Sequence, residues 1–262
     1  MKTHLFGWII LRQIAAGGLA AALLLAGGVV SGAVADEVLT TSDGPVRFHP
    51  INHASFLLRW QERVIYVDPV GGAPRYAGLP RANLILYTHA HGDHYDPATL
   101  ALVAQDQTTI IAPAVVAEKL PAAWRSRALV LTNGQTQVVQ GLTIEAVPAY
   151  NLTPARLTYH PRGQGNGYVL TIGGQRFYIS GDTEDIPEML ALKKIEVAWV
   201  CMNLPYTMDA AQAARAVLRF RPRIVYPYHS RGSDLALFKK TIGADSGIEV
   251  RERDWYPPEP TR

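Results

Sequence analysis

The sequence predicts an α/β chain of one domain, with two β-sheets covered by helices on their outer sides. Three observations predict it. Short apolar runs rich in β-branched and aromatic residues dominate the chain; a few well-capped helical segments lie between them; and no repeat or obvious linker divides the whole.

The strand-like runs, in order, are Val46–Ile51, Ser55–Trp60, Val64–Val67, Leu84–Tyr87, Thr109–Ala112, Leu129–Leu131, Leu142–Val147, Gly167–Ile172, Arg176–Ile179, Val197–Cys201 and Arg223–Tyr228. Turn residues bound each of them, and Gly173-Gly174 marks a tight hairpin. One helix opens at Asp96 with Pro97 in its first position, where a missing N–H costs nothing. A second opens at Asp209, carries Ala213, Ala214, Val217 and Leu218 at helical spacing, and stops at Pro222; a third runs from Asp234 to about Ile242.

The first 35 of the 262 residues stand apart. Lys2 and Arg12 are followed by an uncharged, apolar stretch to Ala33-Val34-Ala35, and Asp36-Glu37 comes next. A basic start, an apolar middle and small residues at the cut read as a secretory signal removed after Ala35, with an uncleaved membrane anchor as the alternative. Residues 36–262 then form the functional domain, exported to the periplasm or beyond. Two of the 25 Lys and Arg lie in the signal and none of the 22 Asp and Glu, so the remainder carries a net charge of +1. That balance, without any Lys/Arg run, excludes a phosphate-tracking nucleic-acid binder. The lone Cys201 ends an apolar run and reads as a buried, inert thiol.

The chemistry concentrates in Thr88-His89-Ala90-His91-Gly92-Asp93-His94. Residues two apart face one side of an extended chain, so His89 and His91 can share a metal only if the strand Leu84–Tyr87 runs on into them in extended form. Gly92 would permit a sharp turn, and Asp93 and His94 would then project toward a neighbouring metal. Neutral imidazole and carboxylate at this density suit zinc, with iron or manganese as alternatives. Other strands end in residues of the same type: Asp182 in Gly181-Asp182-Thr183, His229, and Tyr150-Asn151. Ligands gathered at the carboxyl ends of strands make a sheet-edge site.

These motifs resemble the metallo-β-lactamase superfamily. The histidine motif after a strand, the Gly-Asp-Thr and the later His229 occur in its order. The segments His53-Ala54-Ser55-Phe56, Asp68-Pro69, His160-Pro161-Arg162-Gly163 and Asn203-Leu204-Pro205-Tyr206-Thr207 resemble its uncharacterised metal-dependent hydrolases, distant kin of ascorbate-phosphate lactonase and N-acyl phosphatidylethanolamine phospholipase D. The resemblance implies an αββα sandwich, with His89 and His91 on a first metal, Asp93, His94 and His229 on a second, and Asp182 bridging both. One departure matters: the superfamily's further histidine for the first metal is absent after the strand ending at Val147. Asn151 or His160 must complete that shell. His160 is the stronger donor, and the Pro- and Gly-rich stretch around it reads as a loop able to fold back.

The expected activity is hydrolysis of an ester-like bond (lactone, carboxylic ester or phosphodiester) in a small molecule, by a hydroxide bridging two cations. Asp93 and Asp182 would orient that hydroxide. Tyr206 is either a donor to the developing oxyanion or a packed core tyrosine; Asp68 reads as a residue behind the ligands; His53 either lines the pocket or completes its hairpin. The alternatives are a metal-binding module without turnover and a diiron redox protein. Oligomeric state has no signature in the sequence.

Overall fold

The computed structural model describes residues 36–258, and the expected signal segment 1–35 lies outside the described residues. The first sheet holds β1 (Glu37–Leu39), β2 (Val46–Asn52), β3 (Ser55–Trp60), β4 (Arg63–Val67), β5 (Leu84–Leu86), β6 (Thr109–Ala112) and β7 (Ala128–Val130), side by side in that order. β1 to β4 pair antiparallel, and β4 to β7 pair parallel. The second sheet holds β8 (Thr136–Val139), β9 (Leu142–Ala149), β10 (Gly165–Ile172), β11 (Gln175–Ile179), β12 (Ile195–Cys201), β13 (Ile224–Tyr228) and β14 (Glu249–Val250). Its pairing repeats the first, antiparallel from β8 to β11 and parallel from β11 to β14.

Strand alternation divides the apolar residues between two layers. Phe56 and Leu58 of β3, Ile65 and Val67 of β4, and Leu84 and Leu86 of β5 join the core shared by both sheets. Their neighbours Leu57, Tyr66 and Ile85 point the other way and pack with Leu100 and Val103 of the helix Pro97–Val103. Trp199 of β12 is the hub between the sheets: its ring lies 4.9 Å from Phe56, 5.1 Å from Phe48 and 5.5 Å from Tyr226. Truncating so buried a tryptophan to alanine costs roughly 3–5 kcal/mol. On the outer side of the second sheet, the helix Ala210–Phe220 buries Ala213, Ala214 and Val217, and its Phe220 meets Tyr178 at 5.7 Å.

The three capped helices lie where their signals place them. The side chains of Asp96, Asp209 and Asp234 each accept backbone N–H groups of the first turn. Gly173 and Gly174 both have positive φ (53° and 77°) in the β10–β11 hairpin. Three strands carry no readable signal: β1 and β14 are two or three residues long, and all but Val139 of β8 is exposed, which erases alternation. The four-residue helices Ala73–Tyr76, Ala114–Ala117, Ala122–Arg125 and Pro187–Leu190 are too short to show a period. Among the described residues, no helix is long and apolar enough to cross a membrane.

Candidate metal centre

Six histidines and two aspartates converge at the edge where β4, β5, β11 and β13 end. His89 to His94 follow β5, Asp182 follows β11 and His229 follows β13. His160 comes from the loop between β9 and β10, and His53 from the turn between β2 and β3. Asp182 sits at the centre. Its Oδ2 lies 3.3 Å from Nε2 of His160, 3.3 Å from Nε2 of His229 and 4.0 Å from Nε2 of His89, while Oδ1 lies 3.4 Å from Nε2 of His94. Gly181 makes the approach possible: its φ is +60°, and a Cβ there would stand 2.8 Å from the Asn166 carbonyl oxygen and 3.2 Å from Cβ of Thr88.

The ligating atoms fall into overlapping groups, in each of which they lie within 4.8 Å of one another: His89, His91 and His160; His89, His94 and Asp182; and His53, Asp93 and His229. Nε2 of His89 stands 3.0 Å from Nδ1 of His91, although the strand pairing stops at Leu86 rather than continuing into the motif. The turn after His91 is closed by the amides of His94 and Tyr95, both bonded to the His91 carbonyl. Gly92 is not what permits it. Gly92 lies outside the positive-φ region, and a Cβ there would meet open space.

Buried partners aim these rings. Asp68, fully buried after β4, accepts the Thr88 amide (2.7 Å) and hydroxyl (2.6 Å) and the Nδ1–H of His94 (2.7 Å), which turns Nε2 of His94 toward Asp182. Asp68 therefore holds a ligand-type residue from behind. His160 is set likewise: its Nδ1 donates to the Tyr206 carbonyl (3.2 Å) and Nε2 turns to Asp182. Asn151 lies behind His160, with its amide nitrogen donating to the carbonyls of Tyr206 (2.7 Å) and Arg156 (2.9 Å). Of the two residues offered to complete the first metal's ligands, His160 is the one brought beside His89 and His91.

The loop carrying His160 is tied down by Glu184, two residues past Asp182. The buried Glu184 carboxylate accepts the amides of Leu152 and Thr153 (2.6 Å each), the Thr153 hydroxyl (2.7 Å) and the Arg156 guanidinium (2.6 Å). No motif flags this residue in the sequence. His53 is the other functional residue that sequence reasoning left open. Its backbone closes the turn by bonding Trp255 and His229, and its Nε2 stands 3.2 Å from Asp93.

Electrostatics separates the groups. Burial lowers the pKa of His89 well below the ordinary histidine range, helped by His94, and lowers that of His91, helped by His160. Burial acts in the same direction on His94, but the carboxylates of Asp182 and Asp68 outweigh it and push its pKa up to about 9. Burial would raise both site aspartates; His229 and His53 outweigh it at Asp93, and His229 and His94 at Asp182, so both carboxyls stay below the usual range. Buried with no hydrogen-bond partner stand Nε2 of His94, Nε2 of His160 and Oδ1 of Asp182. Converging buried atoms of this kind are satisfied by a cation once His94 has lost its extra proton, and imidazole with carboxylate fits a divalent transition metal.

Tyr206 is 45% exposed, its ring edge-on to Tyr159 at 5.1 Å, so it is not a packed core tyrosine. With Asn203 it lines a cavity of about 180 Å³ that also touches Asp93 and His229. A larger cavity of about 340 Å³ opens beside His89, walled by Ala90, Val115, Ala149 and Pro161, with Lys119 at its rim. Cys201 is buried behind Asp182, its Sγ donating to the Thr183 carbonyl at 3.4 Å, and burial, helped by the Asp182 charge, pushes its thiol pKa up to about 12.

Two stacked sheets flanked by helices, with imidazoles and carboxylates gathered at one strand edge, define a metallo-β-lactamase fold. Residues 47–229 match the profile of the β-lactamase superfamily domain, and the chain belongs to that superfamily. Its relatives are metal-dependent hydrolases by name. A UPF0173 metal-dependent hydrolase of Thermococcus onnurineus is 31% identical over 218 residues, covering 78% of this chain and 95% of the relative. A crystal structure described as a metal-dependent hydrolase from Parabacteroides distasonis is 43% identical with a TM-score of 0.79, covering 85% of this chain and 99% of that one. A metallo hydrolase of Ignicoccus hospitalis, 21% identical, shares the fold with a TM-score of 0.65, covering 81% of this chain and 96% of that one.

Proposed function

We propose that this chain is an exported dizinc hydrolase that opens an ester-like bond (a lactone, carboxylic ester or phosphodiester) in a small molecule. The observation that carries the reading is Asp182, whose two oxygens face ligand-type nitrogens from both sides. His89, His91 and His160 would hold the first ion, Asp93, His94 and His229 the second, with Asp182 shared. Zinc suits this donor set, and iron or manganese are outcomes of the metal analysis.

When bound, such cations supply Lewis acidity, which polarises a carbonyl or phosphoryl oxygen and lowers the pKa of water toward neutrality. The protein's own groups do the rest. Asp93, with its side chain 50% exposed, presents an ionised carboxylate that accepts a hydrogen bond from the attacking water and orients it. Tyr206, at the mouth of the smaller cavity, donates its hydroxyl proton to the oxygen on which negative charge develops. The apolar walls beside His89 take the carbon part of the substrate and keep bulk water from it. With His160 beside His89 and His91, the first ion would have three imidazoles, which weighs against a metal-binding module without turnover.

Export rests on the composition of residues 1–35. The residues that follow are engaged with the body: Asp36 meets His49 at 2.9 Å, and Glu37 pairs with Arg251 and Arg253. Intact mass of protein from the envelope fraction should give a chain starting at Asp36; a full-length product in the membrane would replace the signal with an anchor. The activity is tested by screening zinc-loaded protein against lactones, carboxylic esters, phosphodiesters and β-lactams. Turnover abolished by chelation and restored by zinc is expected, and a protein that holds its metal yet turns over none of them sinks the hydrolytic reading.

A further inference from the structure

Nε2 of His53 lies with Asp93 and His229 in one group of convergent ligand atoms, so spacing alone would make it a ligand of the second ion. The hydrogen bonds around it say otherwise. The Tyr256 hydroxyl oxygen accepts the Ser230 amide at 2.8 Å, so its own single proton needs an acceptor. Nδ1 of His53 stands 2.9 Å away and is placed to take it, with the Ser230 side chain as the other neighbour of the hydroxyl. Burial raises the pKa of Tyr256, which keeps that proton on the hydroxyl. With Nδ1 accepting, the neutral ring carries its proton on Nε2, and Nε2 stands 3.2 Å from Oδ2 of Asp93. The direction of donation is then fixed along the chain: Ser230 amide to Tyr256, Tyr256 to His53, His53 to Asp93. A nitrogen that carries a proton offers no lone pair to a metal.

The surroundings hold this arrangement in place. His53 has a φ of 53°, a left-handed conformation uncommon outside glycine, and both of its backbone groups are bonded, the amide to Trp255 at 2.7 Å and the carbonyl to the His229 amide at 3.1 Å. Its ring lies against His229 with centroids 3.9 Å apart. Tyr256 is backed by the Arg231 guanidinium, 4.6 Å from its ring centre.

We propose that His53 is a positioning residue, not a metal ligand: steered by Tyr256, it holds Oδ2 of Asp93 through an N–H donor and so orients the carboxylate that serves the second ion. The proposal rests on Asp93 serving that ion. Loss of a partner behind a ligand costs roughly 10–100-fold in metal affinity or activity without emptying the site.

The test combines metal content at matched free zinc, the absorption spectrum of cobalt-loaded protein, and turnover, for wild type, His53→Ala, His53→Gln and Tyr256→Phe. The glutamine amide can accept from Tyr256 and donate to Asp93 but is a poor zinc ligand. The expected result is wild-type metal stoichiometry in all three variants, with His53→Ala losing roughly 10-fold in activity or zinc affinity, His53→Gln regaining most of it, and Tyr256→Phe in between. Loss of one metal equivalent from both His53 variants, with no rescue by glutamine, would overturn the proposal and make His53 a ligand. Full activity and affinity in His53→Ala would overturn it too. A wild-type chain that binds no metal is a different failure, since it removes the metal reading itself.

Discussion

The two halves of the chain repeat one connectivity, yet they deliver their site residues in opposite ways. In the first half the residues after β5 are consecutive in sequence, His89 to His94, and a single buried carboxylate behind them, Asp68, fixes the motif through Thr88 and His94. In the second half His160, Asp182 and His229 come from three separate connections, and Glu184 has to reach back 31 residues to Thr153 to pin the loop that carries His160. The β2–β3 and β9–β10 connections are counterparts in the two sheets, and each contributes one histidine. At His160, Nδ1 donates to a carbonyl and Nε2 keeps its lone pair; at His53, Nδ1 accepts a hydroxyl proton and Nε2 carries one. Equivalent positions thus serve different ends, according to the group standing behind the ring.

Asp182 joins the halves, and removing its charge should do the most damage. Asp182→Asn is expected to lower hydrolysis by orders of magnitude while the fold persists, because an amide holds cations poorly. Near wild-type turnover with the full metal content would reduce Asp182 to a turn residue. The next largest effect concerns the second half's contribution to the first ion. After dialysis at matched free zinc, His160→Ala should lose one metal, and Asn151→Ala should keep both; the reverse pattern would make Asn151 the ligand.

The two buried carboxylates give a matched pair of smaller effects. Asp68→Asn should weaken the ion served by His94, and Glu184→Gln the ion served by His160, each by roughly 10–100-fold. Metal titration of the two variants should therefore show the loss at different sites, and equal weakening of both ions in both variants would dissolve the distinction between the halves. A still smaller signal is expected in the protons. In the metal-free protein His94, raised to about 9, is charged at pH 7.5, while His89 and His91, lowered, are neutral. A ligand must be neutral, so zinc uptake at pH 7.5 should expel the His94 proton, and affinity should rise with pH up to about 9. Calorimetry in buffers of different ionisation enthalpy measures it; uptake without proton release would contradict the charged state. The raised His94 pKa also stabilises the metal-free fold, fully below the unfolded value of about 6.5 and progressively less as pH rises through about 9.

The same asymmetry explains what was legible in the sequence. Consecutive ligands after a strand form a pattern that needs no tertiary knowledge, and β5 with its motif is found where the pattern puts it. His160 was accessible only through a missing donor and a loop composition, because nothing local distinguishes it from a surface histidine. Glu184 and the orientation of His53 were out of reach, since both depend on partners that folding brings from distant segments. Strands with a buried face announced themselves by alternation; β8, which has almost none, did not. Gly92 shows the opposite error, a glycine read as a turn requirement where the backbone makes no such demand.

The bonds from Trp255 and Tyr256 to His53 carry a consequence of timing. The Trp255 carbonyl holds the His53 amide, the Trp255 indole donates to the Pro227 carbonyl at 2.7 Å, and Tyr256 meets both Ser230 and His53. A nascent chain that has emerged only as far as His229 already contains every proposed ligand, yet it lacks the residues whose bonds hold the β2–β3 turn. A chain cut before Trp255 would therefore hold every proposed ligand without the bonds that set His53, so the last described residues complete a centre that earlier ones assemble.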